Sequence, residues 1–406
     1  MKTLLHIGTE KTGSTSFQNW ASRNRDALAD RGVWYSQVLG RLNHIKIYLW
    51  ALPEDSTDNG YELINADAPA GRAAFRANLP DQLAAEYAAA RARGCHTFLI
   101  SNEHCHSRLV TPEAVARVRA LLEPLSSDIE VLCYLRPQID MAVSMASTAA
   151  RVRLRVDRDW FARVTPTNVY YDYLRLYRRW ADVFGDAAVT LTGFKRNADT
   201  VAHVCAKLGL DTAGLAPAAR LNEALDIRTI AIQNVLSDQG YLPGHPIYRL
   251  TRFPIDLLRC DERLQIGPEL ARQIQDPFEE SNRELSRLRP EITPEDLLPD
   301  WSRYDGACNL DQLDGDCGFG PKLAETLILM NMQNRISTVN MRIAQAERAI
   351  WADNVDNACK LYDDACAMLD GLPADMDAFM NQRNSAADRL AKLAGNNKLS
   401  RALAAR

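Results

Sequence analysis

Residues 3–20 read as strand, glycine-framed loop and helix, and this run narrows the fold more than any other stretch of the chain. Leu4, Leu5 and Ile7 supply a short apolar strand, Gly8 and Gly13 bracket the loop, and Phe17 and Trp20 recur at helical spacing after Ser14. A strand that passes so quickly into a helix lays that helix back along a sheet, the first half of a right-handed crossover. The two glycines are spaced as in the phosphate-cradling pattern G-x-x-x-x-G-K-[ST], but Ser14 occupies the place of the lysine, and the lysine sits inside the loop at Lys11. Backbone N–H groups at a helix N-terminus still bind an anion. The displaced lysine argues against a nucleoside triphosphate with magnesium.

Three further apolar runs, residues 96–100, 129–135 and 188–194, have the length and composition of buried parallel strands. Helical stretches separate them: residues 14–31, residues 79–93 closed by Gly94, and a helix opened by Thr111 and Pro112. The alternation predicts an α/β protein, a P-loop-like, doubly wound parallel sheet flanked by helices. Three prolines between residues 288 and 301 read as a linker, so the expected division is a main domain over residues 1–290 and an all-helical C-terminal extension over 291–406. Within the extension, residues 346–365 resemble one tetratricopeptide unit, with small residues where two helices would cross. Such units need about three neighbours to stand alone, so a helical cap is the plainer reading. The same helices are the place where a second copy of the chain, or another protein, would dock. Residues 33–71 are too long for a plain connection and are expected to carry substrate contacts.

At 406 residues, 47% hydrophobic and 25% charged, the composition is that of a soluble globular protein with room for one large core and a smaller module. A net charge of −4 offers no global basic field for nucleic acid or an acidic membrane. Nine cysteines without a C-x-x-C pair fit free thiols in a reducing compartment. With no apolar run approaching ~18 residues and no apolar region at the start, the expectation is a cytoplasmic protein without a membrane span.

Three separated elements then agree. The loop Lys11-Thr12-Gly13-Ser14-Thr15 follows a strand. The strand over residues 131–135 runs into Arg136-Pro137, with Ser144 eight residues after the arginine. Residues 171–185, rich in tyrosine and arginine, precede a strand ending Phe194-Lys195-Arg196 and, later, Leu221-Asn222-Glu223. Together they resemble the sulfotransferases that use 3′-phosphoadenosine-5′-phosphosulfate, in the bacterial and Golgi-like carbohydrate branch, over about residues 1–290. The resemblance implies a sulfuryl transfer to a hydroxyl, less readily an amine, of a carbohydrate or small acceptor, with adenosine 3′,5′-bisphosphate as product and no metal. It implies that Lys11, Thr12, Gly13, Ser14 and Thr15 hold the 5′ end of the donor, and that Arg136 with Ser144 holds the 3′-phosphate. Lys11 would also meet the charge on the departing phosphate. A guanidinium fork suits phosphate independently of the resemblance.

The attacking hydroxyl needs a base. Glu103, directly after the strand over residues 96–100, and His44, in the segment after the first helix, are the leading candidates, with His104 and His106 behind them. A base works best with a pKa near the operating pH, which favours a histidine intrinsically and requires a glutamate to be tuned by burial. Residues 103, 104 and 106 are too nearly contiguous to converge on one metal ion. Arg151, Arg153, Arg155 and Arg158 read either as a basic wall for an acidic acceptor or as a solvated, salt-bridged face. Asp311, Asp314 and Asp316 lack the spacing of a calcium loop. The competing functions are a P-loop kinase or nucleotide hydrolase, and a non-catalytic scaffold acting through the helical extension.

Overall fold

The computed structural model describes residues 1–218, 224–243, 245, 260–313, 320–372 and 377–405. Leu221-Asn222-Glu223, Asp314 and Asp316 lie outside them. Five strands, β1 (Lys2–His6), β2 (Val33–Tyr35), β3 (Thr97–Ser101), β4 (Ile129–Leu135) and β5 (Val189–Gly193), form one parallel sheet in the order β2-β3-β1-β4-β5. Helices cover it: α1 (Ser14–Arg23), α2 (Arg25–Asp30), α3 (Ile45–Ala51), α4 (Pro69–Ala92), α5 (His104–Arg108), α6 (Pro112–Leu122), α7 (Gln138–Arg151), α8 (Arg158–Ala162), α9 (Tyr173–Phe184) and α10 (Thr200–Leu208). The central strands are near-continuous apolar runs because both faces are covered. Leu4, Leu5, Phe98, Ile100, Val131 and Leu132 are all fully buried. Against one face Leu4, Leu99 and Leu132 meet Phe17, Trp20, Leu28 and Val204.

His6 lies opposite Ser101 on one side and Leu132 on the other, and Leu135 lies opposite Gly193, so β1, β3, β4 and β5 end along one edge. The chain runs from β1 to the outer β2, returns to β3 beside β1, and then builds β4 and β5 on the far side. The direction of winding reverses at β1. Open parallel sheets leave a binding crevice at such a reversal, outside the strands' carboxyl ends.

The fifth strand, β2, was not expected: three residues are too few to show a period, and they lie within the segment read as an insertion. The rest of that segment holds α3 and a 3₁₀ turn, Asn59–Ile64. The single helix expected over residues 14–31 is two, α1 and α2. They are divided at Asn24, whose side-chain amide donates to the Trp20 carbonyl at 2.9 Å. Helix α4 starts ten residues before its expected beginning and continues through Pro80. A proline lacks the N–H that would bond the carbonyl four residues back, here that of Arg76, and the Trp50 indole N–H takes that carbonyl at 3.1 Å.

The chain divides into two compact units, residues 1–145, 159–224 and 266–308 in the first and 146–158, 225–265 and 309–406 in the second. This differs from the expected boundary at 290/291. The proline-rich run folds within the first unit, where α12 (Gly267–Gln275) and α13 (Glu279–Leu288) lead into it. Helix α11 (Ile227–Asp238) belongs to the second. The run is anchored by Asp296, 2% exposed, which accepts from Arg196 Nε and Nη2 at 2.5 Å each and from the Thr293 N–H at 2.9 Å. Asp296 sits directly over Gly193 at the end of β5, where a Cβ would stand 2.1 Å from its Oδ1. Gly193→Ala is therefore expected to cost about 1–3 kcal/mol, as overpacking does, read as a lower urea midpoint at unchanged slope.

The second unit's extension consists of α14 (Gly320–Trp351), α15 (Val355–Asp370), α16 (Asp377–Ala394) and α17 (Asn397–Ala404). Fully buried Ala346, Ala358 and Ala365 share its core with Val339, Ile343 and Leu399, so small residues occur where the sequence placed a helix crossing. Among the described residues no helix is long and apolar enough to cross a membrane, and all eight described cysteines are free thiols.

Candidate functional site

The loop after β1 is pinned to β4 by the sheet's own pattern. The Thr9 N–H donates to the Tyr134 carbonyl at 2.9 Å and the Tyr134 N–H to the Gly8 carbonyl. Beyond that point the backbone turns left-handed at Gly8 (φ 92°), Lys11 (φ 65°) and Gly13 (φ 80°). Left-handed residues alternating with others are the backbone condition for a concave nest of N–H groups. Lys11 is the costly member, because a side chain at positive φ is disfavoured. Its conformation is held from outside: Arg136 Nη1 donates to the Lys11 carbonyl at 2.9 Å, Thr12 Oγ1 to the Thr9 carbonyl at 2.6 Å, and Thr200 Oγ1 to the Thr12 carbonyl at 3.0 Å. Gly13 lies so close to Thr200 that a Cβ would come within 2.8 Å of its hydroxyl. Gly13 also supplies the N-cap of α1, and a glycine has no side chain to satisfy the first-turn N–H groups. Ser14 is buried and Thr15 half-buried in that turn.

Arg136 follows β4, beside the loop. Its guanidinium lies over the Phe194 ring, 5.6 Å from the centroid, and Nε is buried without a hydrogen-bond partner. Burial pulls this arginine below its usual pKa, with Asp140 acting the other way. No hydrogen bond joins it to Ser144, which is half-buried on α7 one turn beyond Asp140. Asp140 accepts from the Tyr304 hydroxyl at 2.5 Å and lies 3.2 Å from Arg303 and 3.8 Å from Arg136. The start of α7 is capped by a buried amide: the Ile139 N–H donates to Gln275 Oε1 at 3.0 Å, while Gln275 Nε2 donates to Gln138 Oε1. The positive end of that helix is thus partly met by protein.

On the other side of β1, Glu103 lies at the start of α5, with its Cβ and Cα packed over Gly8 of the loop. Gln18, one turn after Ser14 on α1, donates to Glu103 Oε2 at 2.5 Å. Of the residues expected to act as bases, Glu103 is placed at the loop. His44 is placed differently. Its Nδ1 accepts the Ser101 N–H at 2.9 Å, so its Nε2–H must donate to the Ser36 carbonyl, also at 2.9 Å. The ring is fully buried, and burial depresses its pKa to about 3. Both nitrogens tie the backbone after β2 to the end of β3, and neither is open to a substrate. His106 is likewise buried, its pKa depressed to about 4 chiefly by burial, with Nε2 on the Tyr170 carbonyl at 2.9 Å.

His104 is different again. Its Nδ1 lies 3.3 Å from Glu10 Oε1, and the Tyr170 hydroxyl donates to Glu10 Oε2 at 2.9 Å. Burial alone would raise the Glu10 carboxyl, but the His104 hydrogen bond, the neighbouring Ser107 hydroxyl and the charge of His104 reverse this and hold it at about 2. Sequence reasoning missed Glu10, Tyr170, Gln18, Thr200 and Arg303. Glu10 was legible only as a charged residue inside the loop, and its partners are 94 and 160 residues away.

The basic run after α7 is committed elsewhere in the second unit. Arg153, 2% exposed, donates to Gln233 Oε1 at 2.7 Å, Arg155 to Asp157 at 2.9 Å and to Asp238, and Arg158 lies 3.4 Å from Asp311. The solvated, salt-bridged face, one of the two readings of this run, describes Arg155 and Arg158, whereas Arg153 is buried on a neutral amide. Among the described residues no group of three or more His, Cys, Asp or Glu side chains is arranged to hold a metal ion.

No protein-family model matches the chain, and no curated protein does. The crystal structure of a sulfotransferase from Alicyclobacillus acidocaldarius is similar over 55% of this chain and 87% of its own, at 18% identity and a TM-score of 0.35. A likeness that loose carries no argument about fold or activity.

Proposed function

We propose that the chain is a sulfotransferase that moves a sulfuryl group from 3′-phosphoadenosine-5′-phosphosulfate to a hydroxyl, or less readily an amine, of a carbohydrate or other small acceptor. One observation carries the reading: a left-handed loop opens an α1 whose first turn has no side-chain cap, beside a buried guanidinium with an unpartnered Nε. Unsatisfied donors at that depth are costly unless an anion meets them. The residues present suit a nucleotide with an anionic group at each of its 5′ and 3′ ends. Lys11, Thr12, Gly13, Ser14 and Thr15 hold its 5′ end. Arg136 and Ser144 hold its 3′-phosphate, and Arg303 adds a second guanidinium beside Asp140.

In the transfer, the acceptor oxygen forms a bond to sulfur as the sulfur's bond to the 5′-phosphate oxygen breaks, and the electron pair leaves with adenosine 3′,5′-bisphosphate. Lys11 places an ammonium against that leaving oxygen, and the α1 N–H groups meet the remaining charge, as preorganised donors do. The acceptor's proton goes to a group on the turn after β3, where Glu103 and His104 are neighbours. His44, closed by backbone on both nitrogens, orients that turn.

Titration calorimetry tests the reading. Adenosine 3′,5′-bisphosphate is expected to bind without metal, and Arg136→Lys, which keeps the charge but loses the planar fork, to weaken it by roughly 10-fold or more. Tighter binding of magnesium–ATP than of the bisphosphate overturns the assignment.

A further inference from the structure

Glu10 is a residue of the anion loop that binds no anion. Its side chain is 16% exposed, with Oε1 on His104 Nδ1 and Oε2 on the Tyr170 hydroxyl. Because Nδ1–H donates to this carboxylate, the lone pair of a neutral His104 is on Nε2. That atom is neither buried nor bonded among the described residues, and the ring is about one third exposed. A carboxylate on one imidazole nitrogen fixes the tautomer and ring orientation and raises the basicity of the other. Glu103 stands differently: one carboxylate oxygen already accepts a short hydrogen bond from Gln18.

We propose that His104, oriented by Glu10 and Tyr170, is the proton acceptor for the acceptor hydroxyl, so that the loop holding the donor also sets the geometry of the base. The proposal rests on the sulfotransferase reading and deepens it. As the acceptor oxygen bonds to sulfur, its proton passes to His104 Nε2, and the imidazolium so formed is stabilised by the Glu10 carboxylate. After product release the proton passes to water. His104 is the catalytic residue in this account, and Glu10 and Tyr170 are positioning residues.

The charges around the ring agree with this role. Burial lowers the imidazole pKa, but the Glu10 hydrogen bond and the charges of Glu103 and Glu10 outweigh it, and Arg108 on the same helix opposes them, for a net rise. From α3, Tyr48 presents its ring to His104 at 5.4 Å between centroids, with its hydroxyl turned to Asp58. His106, two residues on, is depressed by burial and stays neutral. Glu10, the one carboxylate bonded to the ring, remains charged throughout the working range.

The test is the pH profile of kcat/KM for sulfuryl transfer, with adenosine 3′,5′-bisphosphate affinity measured alongside. In the unmodified enzyme, activity is expected to rise with pH through the His104 pKa, because the neutral ring is the active form. Glu10→Gln removes the anion, so the rising limb moves to lower pH while the plateau falls on the order of 10-fold or more. Tyr170→Phe moves the limb the opposite way, because Glu10 loses a donor that shares its charge. His104→Gln abolishes the limb and at least 100-fold of the plateau, and leaves bisphosphate binding within about threefold. A limb that survives His104→Gln but vanishes in Glu103→Gln overturns this proposal and leaves the sulfotransferase reading standing. Failure of the unmodified enzyme to bind the bisphosphate overturns that reading itself. A limb unmoved by Glu10→Gln reduces Glu10 to a structural strap and overturns the coupling.

Discussion

Lys11→Ala is expected to lower turnover about 100- to 1000-fold, the loss seen when one preorganised donor to a developing anion is removed, while the protein remains folded. Lys11 sits inside the loop, between the left-handed Gly8 and Gly13, and is itself left-handed. Alanine bears the same Cβ, so the backbone strain is unchanged by the substitution. The Lys11 carbonyl accepts from Arg136, and Thr12 and Thr200 hold the backbone beside it, and these three hydrogen bonds do not use the lysine side chain. The loss should therefore appear in kcat more than in affinity for adenosine 3′,5′-bisphosphate, because charge on the leaving oxygen grows chiefly in the transition state. Circular dichroism and the urea midpoint check the fold, and a stopped assay of sulfuryl transfer checks the rate. Near-normal transfer by Lys11→Ala would remove the lysine from the reaction.

The loop and the sheet were legible because their signals are local. Four strands announce themselves as apolar runs between helices, and Gly8 and Gly13 stand where the backbone turns left-handed. The Thr111 and Pro112 helix start is likewise written in adjacent residues, and Thr111 Oγ1 accepts the Ala114 N–H. What was not legible is what depends on distant partners. β2 exists because Val33 and Tyr35 find β3, 64 residues away, and not because three residues carry a pattern. Glu10 carries no signal of its role in the sequence, because its partners His104 and Tyr170 lie 94 and 160 residues away. His44 read as a base because it is a histidine in the right segment, yet its environment turns it into a backbone clamp. The proline-rich run looked like a linker, but Asp296 ties it to Arg196 and over Gly193. Composition reports how a segment differs from its neighbours, and only the partners decide whether that difference is exposed or packed.

Those partners also make the protein acid-labile. His6, His44 and His106 are each at most 1% exposed, and burial depresses their pKa values to about 3, 3 and 4. In the unfolded chain each returns to about 6.5. A histidine depressed in the folded state contributes stability that is complete above the unfolded value and is lost as pH falls below it, because the unfolded state then binds protons that the native state refuses. Each contributes up to about 1.36 kcal/mol per pH unit over that interval, so by pH 4 the combined loss is on the order of 10 kcal/mol, comparable with the whole stability of an ordinary domain. Glu10, held at about 2, adds to the loss below its unfolded value of 4.5. His104, raised, has the opposite sign: its contribution is complete below 6.5 and fades as pH rises through its folded value. Three depressed rings outweigh one raised one. All three lie in the first unit, as do six of the seven tryptophans, the exception being Trp351, so tryptophan fluorescence reports the unit in question. The urea midpoint by fluorescence is expected to decline only slightly above about pH 6.5, as His104 gives up its proton, to fall steeply below about pH 6, and to reach zero between roughly pH 5 and 4. His44→Gln lowers the midpoint at pH 7.5, since the Ser36 carbonyl and Ser101 N–H lose a fitted partner, yet it makes the acid slope shallower by about one third, because one of the three titrating rings is gone. A midpoint independent of pH down to 5, or a slope unchanged in His44→Gln, would mean that the buried rings are solvated well enough to accept protons in the native state.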